Sequence, residues 1–538
     1  MSGIILEANL IDELLAEQNR LTPVERFAKR HDGAGLPAQS RYYRDLIPSS
    51  KPGRGQQYAF AVNLDVCTGC KACVSACHSL NGLEENETWR DVGLITGAGE
   101  AGEPYLQTVT TACHHCLEPA CLEGCPVLAY DKNPETGIVR HLDDQCIGCQ
   151  YCTMKCPYDV PKYSHRLGIV RKCDMCTDRL AVGEAPACVQ ACPHEAISIR
   201  LVDVAEVSAA SQPGAQIVPG AFDSEYTKPT TQYFSSKRIP PNSEPADAHV
   251  LRLEHAHWPL IIMLLLSQMA AGIFLTLAAM RAAGGGPFGA APLATFGFLG
   301  LNAGLAASLF HLGRPLGAWR FFLGLRTSWM SREILAFGLF AGAAFAAMAL
   351  CWVLPASPLE LAGLTGAAAM GLLAVFTSVM IYADTRRAFW ALPLTATRFY
   401  GATLLLGATA TATVMSWMEL FGTAHLASAI RISVIISLTV RALLLGWELW
   451  RAWQSLSDAS NPCHRSEQTV RVLLPWLMPA RLALFFLASF FSILAISSSG
   501  AVPAIVMSLA LVLTFAAQLL ERFSFFAAVT APRMPGGI

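Results

Sequence analysis

Apolar residues are concentrated in the second half of the chain, where they form eight long runs separated by short polar stretches. Each run is close to the length of about 20 residues that an α-helix needs to cross the hydrocarbon core of a bilayer. The approximate spans are 258–280, 290–311, 332–353, 361–383, 399–421, 425–449, 477–498 and 501–521. One run alone would also suit a buried helix of a soluble protein, but eight in succession predict an all-α bundle of transmembrane helices.

The first half of the chain lacks such runs, and its regular feature is the spacing of its cysteines. Sixteen of the eighteen cysteines lie between Cys67 and Cys192. They form four groups of four: Cys67, Cys70, Cys73 and Cys77; Cys113, Cys116, Cys121 and Cys125; Cys146, Cys149, Cys152 and Cys156; and Cys173, Cys176, Cys188 and Cys192. The first and third groups have the spacing C-x2-C-x2-C-x3-C, whereas the second contains one gap of four residues and the fourth one gap of eleven.

This spacing suits cubane iron–sulfur clusters. Three cysteines on a tight loop reach three irons of one cluster, and the fourth cysteine points to the other cluster of a pair. Structural zinc sites use C-x2-C pairs and do not explain a third cysteine at the same spacing. A disulfide framework needs an oxidising compartment, yet the first thirty residues carry acids throughout and lack the unbroken apolar core of a secretory signal.

The composition agrees with a chain that is part soluble and part membrane-embedded. Its 538 residues exceed one ordinary domain. Hydrophobic residues make up 53% and charged residues 15%, against about 25% charged residues in a typical soluble domain. The formal net charge of −1 gives no indication of nucleic acid as a partner.

The cysteine motifs carry a resemblance to a known family. They are Cys67-Thr-Gly-Cys-Lys-Ala-Cys-Val-Ser-Ala-Cys77, Cys113-His-His-Cys116, Cys146-Ile-Gly-Cys-Gln-Tyr-Cys152 and Arg171-Lys-Cys-Asp-Met-Cys176. Over roughly residues 58–200 the chain resembles the four-cluster subunit of dimethyl sulfoxide reductase and its relatives, which implies an α+β ferredoxin-like domain with four [4Fe–4S] clusters. The implied ligand sets are Cys67, Cys70, Cys73 and Cys192 (cluster one); Cys173, Cys176, Cys188 and Cys77 (cluster two); Cys113, Cys116, Cys121 and Cys156 (cluster three); and Cys146, Cys149, Cys152 and Cys125 (cluster four).

Cations and histidines lie among the cysteines. The cations are Lys71, Lys155, Lys162, Arg171 and Lys172. Such cations would raise the reduction potential of an anionic cluster, although each one taken singly could be an ordinary solvated side chain. His114 and His115 lie beside Cys113. Because the cysteine sets are already complete, we interpret both histidines as neighbours of the clusters and not as ligands.

The anchor also carries a resemblance. His257-Trp-Pro-Leu with Gln268, His311-Leu-Gly-Arg-Pro, and Ser328-Trp-Met-Ser-Arg-Glu-Ile resemble the membrane anchor of the same family. That resemblance implies eight helices, no haem, and a quinol site that includes His311 and Glu333. Independently, quinone chemistry needs a proton-exchanging group at the membrane edge, histidine titrates near neutral pH, and ionisable residues at membrane depth point to function. The alternative for His311 is a histidine that merely caps a helix.

Other ionisable residues of the anchor are less informative. Haem b would need two axial histidines within the helices, but only His311 and His425 approach span ends, on opposite faces of the membrane. Arg431, Arg441 and Glu419 are unusual for lipid, and the sequence does not decide whether they pair or line a cavity.

The arginines of the connecting loops predict the orientation of the anchor. The even-numbered loops and the C-terminus carry Arg314, Arg320, Arg326, Arg386, Arg387, Arg398, Arg451, Arg465, Arg471, Arg522 and Arg533. The odd-numbered loops are nearly free of Lys and Arg, apart from Arg281. By the positive-inside rule, both termini and the cluster domain are expected on the cytoplasmic side of the inner membrane.

We expect four segments. They are an N-terminal helical or extended segment (1–57), the cluster domain (58–205), a linker rich in Pro, Ser, Ala and Thr (206–250), and the membrane anchor (251–538). The linker composition favours an extended connector over a packed element. Thr22-Pro-Val-Glu25 predicts a helix start, with Thr22 as N-cap and Glu25 at N3.

The resemblances imply an electron-transfer and anchor subunit of a quinone-linked oxidoreductase. It would relay electrons between menaquinone or ubiquinone and a separate catalytic subunit that alone holds molybdopterin. A cytoplasmic cluster domain makes sulfite oxidation the leading reaction, with dimethyl sulfoxide and other substrates open. Two further classes are a redox-driven ion transporter, which would need more paired charges buried in mid-membrane than the sequence shows, and a redox-sensing membrane protein, which would usually need one labile cluster.

Overall fold

The computed structural model describes residues 22–33, 39–99, 102–284, 289–422 and 426–536, together with the isolated positions 10, 11, 13, 16 and 20. The N-terminal helix α1 (Pro23–Gly33) begins where the sequence predicted. Its capping box is formed, because the Glu25 amide donates to Thr22 Oγ1 at 3.2 Å and the Thr22 amide donates to Glu25 Oε2 at 2.6 Å.

The cluster domain consists of short strands and helices joined by the cysteine loops. Its strands, which include two from the linker, are β1 (Gln56–Asn63), β2 (Asp91–Ala98), β3 (Pro104–Thr111), β4 (Tyr130–Lys132), β5 (Val139–His141), β6 (Lys162–Ser164), β7 (Ile169–Arg171), β8 (Ile197–Asp203), β9 (Gln232–Phe234) and β10 (Glu244–Pro245). Its helices are α2 (Ala72–Asn81), α3 (Ala120–Glu123), α4 (Tyr151–Lys155), α5 (Thr177–Ala181), α6 (Ala187–Gln190) and α7 (Val204–Ala210).

Strand pairing brings the two ends of this domain together. Strand β1 pairs antiparallel with β8, with Gln56 opposite Asp203 and Val62 opposite Ile197. The cysteine loops are therefore held between the first strand and the eighth. Helix α2 packs on α6, and α3 packs on α4. The first cysteine group consequently lies beside the fourth group, and the second beside the third, as the α+β ferredoxin-like prediction requires.

The linker differs from the expectation of an unpacked connector. Strand β9 adds in parallel to β1, and β10 adds antiparallel to β2. Thr230 and Thr231 are buried, and the Thr230 amide donates to the His114 carbonyl at 3.2 Å. Unpaired edge strands expose backbone hydrogen-bonding groups, and this segment covers two such edges. Its Pro-rich composition correctly indicated extended backbone but did not reveal that the backbone is packed.

The second half of the chain is a helical bundle. Among the described residues, eight helices are long and apolar enough to cross a bilayer, which confirms the predicted number. They are α8 (Trp258–Ala282), α9 (Ala290–Leu309), α10 (Trp329–Val353), α11 (Pro358–Ala383), α12 (Leu392–Leu420), α13 (Ala427–Ser457), α15 (Leu477–Ser497) and α16 (Val502–Ala527). The short α14 (His464–Leu473) precedes α15.

Helices α8 and α12 are the most buried of the bundle. They approach closely where Gly272 of α8 faces Gly407 of α12. A Cβ atom on Gly272 would lie 2.0 Å from the Thr403 carbonyl oxygen, and one on Gly407 would lie 2.4 Å from the Gly272 carbonyl carbon. Glycine is therefore needed at both positions, as is common where membrane helices pack backbone against backbone.

The cluster domain lies against the arginine-rich ends of the helices. Arg314 Nη1 donates to the Asp143 carbonyl at 2.9 Å, and Lys155 Nζ lies 2.7 Å from the Asp384 carboxylate. At the C-terminus, the Gly536 carbonyl accepts a hydrogen bond of 3.2 Å from the backbone of β2. The loops that follow α9 and α11 and the C-terminal tail thus all contact the cluster domain.

Candidate functional site

The structure gathers the sulfurs of the first and fourth cysteine groups. The Cys73 thiol is close enough to those of Cys188 and Cys192 for their charges to interact. The Cys77 thiol interacts in the same way with those of Cys188 and Cys176. We expect these neighbours if the last cysteine of each group ligates the cluster that is otherwise held by the other group.

The second and third groups show the same exchange. Cys156 lies within electrostatic range of Cys113, Cys116 and Cys121. Cys125 lies within range of Cys146, Cys149 and Cys152. The four sulfurs assigned to cluster three line a common cavity, together with the buried ammonium of Lys172. Among the residues that the structure describes, no three His, Cys, Asp or Glu side chains converge as closely as a single metal ion requires; a cubane, with each thiolate on a different iron, has no such requirement.

Lys172 shows that the cavity fits an anionic group. It is only 3% exposed, and its Nζ lies 3.6 Å from Cys113 Sγ and 2.7 Å from the Cys173 carbonyl oxygen. It thus lies between the sulfurs of clusters two and three. A buried cation is costly unless an opposite charge compensates it, and a cluster held by four thiolates supplies that charge. Lys155 and Lys162 pair instead with Asp384 and Asp159.

Arg90 is a second buried cation, and the sequence reasoning missed it. Its side chain lies within electrostatic range of Cys73, Cys77, Cys173 and Cys188, the sulfurs of clusters one and two. Its Nη1 donates to Thr110 Oγ1 at 3.2 Å, whereas Nε and Nη2 have no hydrogen-bond partner in the described part of the chain. Such orphaned donors fit the sulfurs of an anionic cluster. Arg90 lies outside every cysteine group, so no local motif marks it.

The two histidines beside Cys113 are buried. His114 Nδ1 lies 2.9 Å from Thr231 Oγ1, and the Val139 amide donates to His115 Nδ1 at 3.1 Å. Burial lowers the pKa of His114 to about 3, and burial also lowers the pKa of His115. Both shifts favour the neutral form of the ring.

The four sulfur sets differ in exposure. Cys70 is exposed, and Cys67, Cys176 and Cys192 are partly exposed. Every cysteine of the second and third groups is buried. Clusters one and two would therefore lie toward the free surface of the cluster domain, and clusters three and four toward its interior.

A loop of the membrane anchor covers the cluster-four sulfurs. It joins α9 to α10 and contains the 3-10 helix Pro315–Gly324. A Cβ atom on Gly313 would lie 2.1 Å from the Gly168 carbonyl oxygen, so the loop touches the cluster domain backbone to backbone. The Arg314 amide donates to the Ile147 carbonyl at 3.0 Å, and the Gly324 amide donates to the Pro126 carbonyl at 2.9 Å. These contacts place the cysteines assigned to cluster four next to the anchor.

His311 lies in this loop, just after α9. Its Nε2 donates a hydrogen bond of 3.0 Å to the Cys149 carbonyl oxygen. Its ring packs edge-on against His257, with 5.0 Å between the centroids. Burial lowers the pKa of His311, and the hydrogen bond to Cys149 opposes this shift. The resting ring is therefore neutral at pH 7.

Glu333 lies in the second turn of α10 and is buried. Its Oε1 accepts a hydrogen bond from Ser378 of α11. Tyr151, which follows Cys149 by two residues, lies within electrostatic range of Glu333 and donates to the Ile381 carbonyl at 3.1 Å. The structure thus places His311 and Glu333 on the same side of the bundle, each beside the segment that carries cluster-four cysteines.

Several charged residues of the anchor form buried ion pairs. Several helices extend beyond the predicted spans at their arginine-rich ends, so residues placed in loops lie inside helices. The buried ion pairs are Arg398–Glu521 at 3.5 Å, Arg481–Glu448 at 2.8 Å, Arg451–Glu467 and Arg522–Glu521. These pairs lie near the arginine-rich ends of the helices, so the expectation of few paired charges buried in mid-membrane stays a prediction.

The three unassigned residues of the anchor lie in different surroundings. Glu419 and Arg431 line one cavity at the end of the bundle remote from the cluster domain. Arg441 is buried and donates to Ser489 Oγ at 3.0 Å and to Thr514 Oγ1 at 2.8 Å. His425, the other histidine considered for haem, lies outside the described residues.

Comparison with known proteins matches each half of the chain to a protein family. Residues 105–201 match the family model described as a 4Fe-4S dicluster domain, and residues 253–528 match the DMSO reductase anchor subunit (DmsC). The second match covers about half of the chain. The cluster domain therefore carries iron–sulfur clusters, and the bundle is a membrane anchor.

Curated relatives match the cluster domain. The B subunit of the anaerobic dimethyl sulfoxide reductase of Escherichia coli is 38% identical over 154 residues, which is 27% of this chain and 75% of that protein. The corresponding subunit of Haemophilus influenzae is 37% identical over 156 residues, or 28% of this chain and 76% of that protein. Hydrogenase-2 operon protein HybA of Shigella flexneri is 36% identical over 160 residues, or 24% of this chain and 48% of that protein. The chain thus belongs to the dimethyl sulfoxide reductase family of electron-transfer subunits, and it joins the iron–sulfur subunit and the membrane anchor in one polypeptide.

Proposed function

We propose that this chain relays electrons between a membrane quinone, menaquinone or ubiquinone, and a separate molybdopterin-containing catalytic subunit. The observation that carries the proposal is the hydrogen bond between His311 Nε2 and the Cys149 carbonyl. It joins a residue of the anchor to a residue assigned to cluster four. Quinone bound beside His311 would therefore exchange electrons with the cluster nearest the membrane.

The differences in exposure among the cysteines support a path for electrons through the cluster domain. Buried cysteines hold clusters three and four below the anchor loop, whereas Cys70 reaches the free surface. Val66 and Leu106 are also exposed apolar residues, and the neighbouring Thr108 donates to the Cys67 carbonyl at 2.6 Å. A catalytic subunit that docks on this surface would meet cluster one. Electrons would then pass between cluster four and cluster one through the two clusters between them.

The proton chemistry follows from the tautomer of His311. A carbonyl oxygen only accepts, so Nε2 carries the hydrogen, and Nδ1 of the neutral ring is the acceptor. Oxidation of a quinol releases two electrons and two protons. His311 Nδ1 and the Glu333 carboxylate are the groups proposed to take those protons, or to return them when quinone is reduced.

The sidedness proposal combines the arginine distribution with the contacts. The cluster domain lies against the arginine-rich loops, and the positive-inside rule predicts that those loops face the cytoplasm. A cytoplasmic cluster domain favours a cytoplasmic substrate, of which sulfite is the leading candidate within the family.

The experiment uses the purified full-length protein with its clusters reduced by dithionite. Addition of a short-chain quinone should reoxidise the clusters, as followed by absorbance. His311→Ala should slow this step by roughly 100-fold or more while dithionite reduction stays normal. His249→Ala, at an exposed histidine that pairs with Glu244, is the matched control. Unchanged reoxidation in His311→Ala would contradict the proposed site.

Redox-driven ion translocation is the second candidate. The observation that favours it is the set of buried ion pairs among α12, α13, α14, α15 and α16, together with Arg441 deep in α13. Intramembrane charges commonly mark ion pathways. This function would require turnover to generate a membrane potential, whereas the quinone relay on one side would not.

A further inference from the structure

Two cavities lie end to end between the cluster domain and the anchor. The first, of about 150 Å³, is lined by Gln150 and Thr153 from the cluster domain and by His255 and His257 from the anchor. The second, of about 230 Å³, lies under the C-terminal tail. Asp159 and Arg533 line both cavities. Because they share these two residues, the cavities adjoin, and we refer to them together as the interdomain channel. One water occupies about 30 Å³ in the liquid, so each cavity has room for several water molecules.

Three histidines lead from the channel to the proposed quinone site. His255 is exposed, whereas His257 and His311 are each 8% exposed. The ring centroids of His255 and His257 are 4.6 Å apart, and those of His257 and His311 are 5.0 Å apart. His257 is therefore the residue that contacts both the channel and His311.

The surroundings of His257 leave one ring nitrogen for a water molecule. Its Nδ1 is buried and has no hydrogen-bond partner among the described residues, which is costly unless water satisfies it. Its backbone has a φ of +46°, an uncommon conformation that occurs at functional sites. The groups that face it are His255, His311 and Arg387. Burial, followed by these neighbours, lowers the pKa of His257 to about 3, so the resting ring is neutral, with one donor and one acceptor nitrogen.

Carboxylates continue the polar path beyond His257. Asp159, where the cavities meet, pairs with Lys162 at 2.7 Å. In the second cavity Asp247 lies 3.3 Å from Arg533 of the C-terminal tail and 3.8 Å from Arg252. Both cavities thus contain charged side chains.

We propose that the interdomain channel carries the protons of the quinone reaction, and that His257 passes them between the quinone site and the channel water. The inference rests on the proposed quinone function. For each quinol oxidised, two electrons enter the clusters and two protons leave past His257 and Asp159. For each quinone reduced, two electrons leave the clusters and two protons enter by the same route. Electrons and protons thus follow different routes from His311, on the cluster side of the membrane.

The test is reoxidation of dithionite-reduced clusters by a short-chain quinone, measured in H₂O and in D₂O. His257→Phe keeps an aromatic ring between Phe526 and His311 but removes both ring nitrogens. It should lower the maximal rate at least about tenfold, leave the half-saturating quinone concentration unchanged and raise the solvent isotope effect. Added imidazole should restore the rate. Asp159→Asn, away from the quinone, should show a smaller change of the same kind.

The controls separate the channel from the quinone site. His249→Phe makes the same substitution at an exposed histidine and should leave all rates unchanged. Iron content and dithionite reduction verify that each variant is folded. Normal maximal rates in both His257→Phe and Asp159→Asn would overturn the proposal that protons pass through the channel, even where His311→Ala abolishes activity. A weaker half-saturation at an unchanged maximal rate in His257→Phe would make His257 a quinone-binding residue and would likewise overturn it. Normal activity in His311→Ala would instead show that the quinone site has been assigned to the wrong residues.

Discussion

His311 Nε2 donates a hydrogen bond to the backbone carbonyl oxygen of Cys149 at a distance of 3.0 Å, although 162 positions separate the two residues in the chain. The bond joins the two halves of the protein at the place where electrons would cross between them. Because the carbonyl can only accept, it also fixes which ring nitrogen of His311 carries hydrogen. The same contact thus positions the ring and prepares its other nitrogen to accept a proton.

The first prediction concerns the number of clusters. Anaerobically purified protein should contain about sixteen irons and about sixteen acid-labile sulfides, because sixteen cysteines form four sets of four. Metal analysis and sulfide assay measure both quantities. Stoichiometric zinc with little iron would contradict the assignment of the cysteines.

The second prediction concerns one ligand of cluster four. Cys149→Ser should convert that cluster to a three-iron form or remove it, and should interrupt electron transfer between the quinone and the clusters while membrane insertion stays normal. Electron paramagnetic resonance distinguishes these outcomes. Cys351→Ser is the matched control, because Cys351 is buried in α10, far from the cysteine groups. An unchanged set of cluster signals in Cys149→Ser would show that the proposed ligand sets are wrong.

Arg90 gives a prediction about reduction potentials. Arg90→Met removes a buried cation beside the sulfurs of clusters one and two. Reduction adds negative charge, so losing the cation should lower those potentials, by roughly 40–90 mV for about 1–2 kcal/mol of lost attraction. A redox titration followed by electron paramagnetic resonance measures the shift. The control Arg54→Met, at an exposed position, should leave the reduction potentials unchanged. Equal potentials in Arg90→Met and the wild type would show that Arg90 does not tune the clusters.

The orientation of the anchor can be tested directly. Eight membrane-spanning helices and arginine-rich even-numbered loops predict that a reporter fused after Ile538 is cytoplasmic. Paired phosphatase and fluorescent-protein fusions report the two sides of the membrane. A periplasmic C-terminus would mean that the anchor is inverted and that the cluster domain faces the other compartment.

The last prediction separates the two candidate functions. If quinone, clusters and proton channel all lie on one side, turnover moves no charge across the membrane. Moving one charge against about 100 mV costs roughly 2.3 kcal/mol, so an ion-translocating protein would slow in energised vesicles and this one should not. Proteoliposomes with a potential-sensitive dye measure any charge movement. A membrane potential that develops during turnover would favour ion translocation through the buried charges.

Features encoded by local spacing were predictable. A ligand loop such as Cys146 to Cys152 is specified within seven residues, because a cubane requires closely spaced thiolates. A membrane helix is recognised by its length and apolarity, and a capping box, as at Thr22 and Glu25, by residues three apart. Local spacing therefore predicted the four cysteine sets, the eight helices and the capping box, whereas the ferredoxin-like fold and the candidate positions His311 and Glu333 were implied by the resemblance of longer motifs to a known family.

Only the tertiary structure decided which distant residues meet. Arg90 belongs to no motif, and its place among the cluster sulfurs results from the pairing of cysteine groups far apart in the chain. The linker composition indicated extended backbone but could not show the strand edges that β9 and β10 cover. The charge of Arg398 is visible in the sequence, but its burial against Glu521 depends on the packing of α12 with α16. Burial and pairing arise between elements, because they depend on which surfaces pack together, and local composition does not encode that choice.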